Sequence, residues 1–72
     1  MGYYEIIVDS HLDNKRLRDF EGMDFIYLEG GKTMLTGSLS DQAMLFSVIN
    51  KIRDMNLTLV SIKKDDNKIN IE

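Results

Sequence analysis

The chain has 72 residues, twelve acids against nine bases, a net charge of −3, one histidine and no cysteine. That length bounds it to one small domain with a marginal core, and the lack of cysteine excludes disulfides and thiolate zinc sites as reinforcement. A lone histidine cannot build a nitrogen-rich metal cage, so oligomerisation is the one common aid to a small scaffold that remains.

The first stretch, MGYYEIIVDS, has no basic leader region and no apolar run near the ~20 residues of a membrane helix. It predicts neither a signal peptide nor a membrane span, and a soluble cytoplasmic protein is the expectation. Within it, Tyr3 to Val8 is aromatic and β-branched and predicts a strand. Next come Asp9-Ser10-His11-Leu12-Asp13, where the lone histidine has an acid two residues away on each side. An extended backbone would project all three side chains to one side, as a metal site or polar contact at Asp9 and His11 needs. Asp13, however, is a good N-cap for a short helix through Phe20, with Leu12 and Leu17 at staple positions and Gly22 closing the far end. The structural reading is preferred, with no metal and no cofactor.

Asp24 to Glu29 and Lys32 to Thr36 predict two strands joined by Gly30-Gly31, a two-residue loop whose glycines accept positive φ. That register would pair Glu29 with Lys32, Tyr27 with Met34 and Ile26 with Leu35. Asp41 to Met55 predicts the main helix, with Met44, Leu45, Val48, Ile49, Ile52 and Met55 on one arc. Ser40 is its expected N-cap and Leu39 its staple to Met44. Phe46 lies outside the arc, at the edge of the core or on a partner. Leu57 to Lys63 predicts a fourth strand. Residues 65–72, DDNKINIE, read as a polar tail or a short extra strand after a single domain over 1–64.

In order, these elements are β-α-β-β-α-β. Right-handed crossovers place both helices on one side, predicting an α+β, ferredoxin-like fold: a four-stranded antiparallel sheet with two helices on one face.

Asp41-Gln42-Ala43-x-Leu45, then Ile52-Arg53-Asp54, then Leu57-x-Leu59-x-Ser61 resembles small uncharacterised proteins, mostly bacterial, with D-Q-A-x-L, I/V-R-D and L-x-L-x-S in their C-terminal half. His11-Leu12-Asp13 and Phe20-Glu21-Gly22 are similar to their first half. The shared residues are mainly caps, core and turns, so the resemblance implies a fold and no activity. Where this chain has Phe46 the family often has histidine, and no role of that histidine carries over.

No catalytic residues are identified. Ser38, Ser40 and Gln42 surround a helix start, but Asp41 there would repel an anion. An acyl-transfer site needs a nucleophile with a base in reach, and His11 could serve Ser10 or a distant serine only through a tertiary contact; Gly30-Gly31 with Lys32 lacks phosphate-loop spacing. The basic groups Lys15-Arg16-Arg18 and Lys63-Lys64 both sit beside acids, which predicts solvated faces and no nucleic acid. The strands carry apolar residues on both sides. The predicted facing puts Phe25, Tyr27 and Met34 on the helix-free side of the sheet with Tyr3 and Leu59, an apolar area of the kind that marks an interface. The expectation is a homodimer, a non-enzymatic interaction or accessory module that self-associates through these residues. The alternative is a dimeric small-molecule binder or enzyme with a pocket at the sheet face and Tyr3, Tyr27 and His11 as polar contacts, its ligand unknown.

Overall fold

The computed structural model describes residues 2–20 and 22–64. Its elements are β1 (Gly2–Val8), α1 (Asn14–Leu17) running into a 3-10 turn (Arg18–Phe20), β2 (Asp24–Leu28), β3 (Lys32–Leu39), α2 (Gln42–Asp54) and β4 (Leu59–Lys64). The fold is α+β: one open four-stranded sheet in the order β2-β3-β1-β4, every neighbouring pair antiparallel, with two helices. Residues 65–72, expected as a tail or extra strand, lie outside the described residues.

The first helix is short because its cap and its stop are close together. Asp13 is extended (φ −83°, ψ 175°) and its carboxylate accepts a hydrogen bond from the Arg16 N–H at 3.0 Å, as the sequence predicts. Only one α turn follows before the 3-10 turn brings buried Phe20 onto the sheet, and Gly22 follows with φ +87°. In α2 the cap falls one residue later than expected. Asp41, not Ser40, accepts from the Met44 N–H at 2.9 Å, and the Ser40 hydroxyl donates to the Met44 sulfur instead. The carboxylate is the stronger acceptor for an N–H at the positive end of the helix dipole.

At its other end α2 closes on Asn56 in the left-handed region (φ 62°). There the Leu57 N–H donates to the Ile52 carbonyl and the Asn56 N–H to the Arg53 carbonyl, the paired bonds of a Schellman motif. The motif takes up Leu57, so β4 starts at Leu59, two residues later than predicted.

The hairpin differs from its expected register. Leu28 pairs with Lys32, Tyr27 with Thr33, Ile26 with Met34 and Phe25 with Leu35. Glu29 therefore belongs to the loop, which has three residues, with Gly30 and Gly31 at φ +83° and +77°. A slip of one residue exchanges the two faces of a strand. Phe25 and Tyr27 are consequently on the helix side, and Ile26 and Leu28 on the helix-free side, the reverse of the expected facing. Strand β3 also runs on to Leu39, past the predicted end at Thr36. Gly37 sits within it because Met23 passes over that point: a Cβ there would stand 3.3 Å from Met23 Cγ and 3.4 Å from Met23 Cα.

One core lies on one side of the sheet. It joins Tyr4, Ile6, Val8, Leu35 and Leu39 to Leu12 and Phe20 from the first connection and Val48 and Ile52 from α2. One row across the sheet shows how far the cover extends. Phe25, Leu35, Ile6 and Ile62 are neighbours in register, and their exposures are 42, 1, 0 and 37%. The helices roof the two central strands and leave both outer strands bare. The two margins also differ. Strand β4 carries a bulge opposite Ile7 and Val8 and ends in Lys63-Lys64, whereas β2 has no bulge and no lysine between Asp24 and Leu28.

Candidate functional site

Two places gather the residues singled out from the sequence. The first is the turn from β1 into α1. Thr33 is fully buried beside it; its hydroxyl donates to the Ser10 carbonyl at 2.7 Å and accepts from the Leu12 N–H at 3.1 Å. Two strands away from β1, the Tyr27 hydroxyl donates to the Leu12 carbonyl at 2.6 Å. The turn is thus tied at three points by β2 and β3. This fastening holds the imidazole of His11 against the Tyr27 ring, 3.8 Å between centroids and 28° between planes. Phe25 tilts onto the same tyrosine at 5.2 Å.

Of the groups that a metal or polar site would use, the Asp13 carboxylate is taken by a backbone N–H of the helix start. The His11 ring lies on an aromatic face, and Asp9 turns its backbone N–H to the Thr58 carbonyl. Among the described residues no three histidine, cysteine, aspartate or glutamate side chains gather as a cation would require. What the geometry builds here is a rigid aromatic corner at the sheet margin. Thr33 is the residue sequence reasoning missed: a threonine in a strand is ordinary, and only the fold brings it under the turn.

The second place is the helix-free face. The ladders put three rows of side chains on it. The middle row is Ile26, Met34, Ile7 and Ser61 on β2, β3, β1 and β4. On one side of it run Asp24, Thr36, Glu5 and Lys63, and on the other Leu28 and Lys32. Tyr3 lies further out, paired with Ser38. Of the five residues expected at an interface, Met34 and Tyr3 are on this face. Phe25 and Tyr27 are on the opposite one, and Leu59 is paired with Val8 beside the bulge at the β4 margin. Ile26 takes their place: it is 51% exposed, at the β2 end of the middle row. The apolar area is therefore a stripe with Leu28 beside its β2 end, narrower than the strand composition suggests.

A cavity of about 110 Å³ lies between the 3-10 turn and α2, lined by Phe20, Met23, Leu39, Met44, Val48 and Lys51. The Lys51 ammonium donates to the Asp19 carbonyl at its mouth, 2.8 Å away. It is well below the ~300 Å³ at which small-molecule pockets usually begin, and neither Tyr3, Tyr27 nor His11 lines it. Among the described residues no helix is long and apolar enough to cross a membrane.

Residues 3–63 match the model of a family described as Domain of unknown function (DUF8691). No curated protein and no solved structure matches the chain.

Proposed function

The chain belongs to that family of unknown function, and from this premise we propose that it is a non-enzymatic interaction module that associates with a second copy of itself through the helix-free sheet face. The observation that carries the reading is the stripe Ile26–Met34–Ile7, set in register across three strands with Ile26 half exposed. An antiparallel sheet with one face in water ordinarily alternates apolar-in and polar-out. A stripe of this kind, with the charged row of Asp24, Glu5 and Lys63 on one side and Lys32 on the other, has the layout of an interface: apolar centre, polar rim.

The chain's size favours the same reading. With neither cysteine nor metal-ligand cluster among the described residues, burial against a partner is the available way to add apolar area to a small core. We read the fold as the ferredoxin-like split βαβ arrangement. The connection from β1 to β2 passes over β3 and that from β3 to β4 passes over β1, and the sheet order supports it.

The experiment is sedimentation velocity from about 5 µM to about 500 µM, a range suited to a small interface. The expected result is a monomer–dimer equilibrium, shifted to monomer by Ile26→Lys, which changes an exposed side chain and leaves the fold intact by circular dichroism. A parent chain that stays monomeric over the whole range removes the proposal.

A further inference from the structure

We infer that the two copies are related by a two-fold axis running along the Ile26–Met34–Ile7 stripe, and that this axis sets Lys32 of each copy between Asp24 and Glu5 of the other. The inference rests on the self-association proposed above and adds the geometry of that contact and the charges that select it.

The rows determine the match. Two sheets packed face to face are related by an axis lying in the plane between them, and an isologous contact brings the same patch of both copies together. Taking the axis along the stripe lays Ile26 on Ile26, Met34 on Met34 and Ile7 on Ile7, so every apolar residue of the stripe meets an apolar residue. The same rotation exchanges the flanking rows. The row of Leu28 and Lys32 comes over the partner's row of Asp24, Thr36, Glu5 and Lys63, with Leu28 over Asp24 on the same strand. Lys32 then stands above Thr36, with Asp24 and Glu5 one strand to either side, ~4.8 Å away in the plane of the sheet. The long lysine stem spans the gap between layers ~10 Å apart. Asp9 is one residue past the last β1–β3 pair, and its backbone is turned to Thr58, away from the β3 ladder.

A second axis, parallel to the strands, is the competing arrangement. It sets Asp24 against Lys63, which also matches charge. It lays Ile26 on Ser61, however, and leaves the most exposed residue of the stripe without an apolar partner. Apolar matching selects the first axis, and the identity of the lysine that meets Asp24 tells the two apart.

The test uses charge exchange between full-length chains, read by sedimentation and by native mass spectrometry. Lys32→Glu alone and Asp24→Lys alone should each weaken self-association about tenfold by placing like charges together. An equimolar mixture of the two should regain the heterodimer, in which the introduced glutamate of one chain meets the introduced lysine of the other. Lys63→Glu should not substitute for Lys32→Glu in that mixture. Raising salt should weaken the parent dimer, a readout that needs no variant. The inference falls if Lys32→Glu associates as tightly as the parent, or if Lys63→Glu is the variant that rescues Asp24→Lys. If Ile26→Lys abolishes the dimer while the charge variants do not move it, the face is the interface and only the axis is wrong. A parent that never dimerises overturns both.

Discussion

Thr33 is the residue on which the local order of the β1–α1 turn depends. Its hydroxyl satisfies both the half-buried Ser10 carbonyl and the buried Leu12 N–H. Thr33→Val keeps the shape and leaves both backbone groups unpaired, at a cost of about 1–3 kcal/mol for each that stays away from water. For a domain this small, each kilocalorie lowers the thermal midpoint by roughly 4–8 °C, measurable by circular dichroism, and the ring-current shift that Tyr27 imposes on His11 should change in the NMR spectrum. At this scale the sequence was partly legible. Asp13 was recognisable as a cap because a cap needs only its own next three residues. The stack of His11 on Tyr27 was not, since it joins residues far apart in the chain and depends on which way β2 faces.

That facing was decided by one residue at the hairpin. Phe25, Ile26, Tyr27 and Leu28 are all apolar, so β2 has no polar alternation to reveal its inner side, and its register rests on the loop alone. Two glycines with positive φ fit both a two-residue loop and the observed three-residue one, and Glu29 lies in the loop where composition placed it in the strand. The existence of all four strands and both helices was readable from pattern; the side chains of β2 were misassigned together because a slip moves them together. Leu59 was misplaced for a related reason, the Schellman turn and the bulge having shifted the start and phase of β4. The end of α2 offers a check on that turn. Asn56 holds a backbone conformation that glycine adopts without penalty, so Asn56→Gly should stabilise the fold by about 0.5 kcal/mol, and Asn56→Val should destabilise it by about 1 kcal/mol or more. Urea unfolding of the two variants measures both signs.

As a whole molecule, the protein has a roof too narrow for its sheet. The 3-10 turn and α2 cover β1 and β3, which hold all of the strand residues in the core, while Phe25, Tyr27, Leu59, Val60 and Ile62 remain exposed on the outer strands. A four-stranded antiparallel sheet with two helices was foreseeable from the succession of elements; the poverty of its cover was not, because a helix's length depends on where the caps at Asp13 and Gly22 fall rather than on what it must hide. The proposed pairing buries the helix-free stripe and does nothing for the margins. Those margins are unequal, and the inequality gives any runaway polymer a direction. A foreign or partly unfolded chain arriving at β4 meets a kinked ladder and two ammonium groups, both deterrents to edge pairing, whereas at β2 it meets four apolar residues after Asp24, with neither bulge nor lysine. Fibrils grown under mild heating should accordingly shield the amides of residues 24–28 from deuterium before those of 59–64, and Phe25→Lys, at an exposed position of that strand, should delay their appearance. Growth seeded equally from both sides would show that the bulge and the lysines of β4 do not act as gatekeepers.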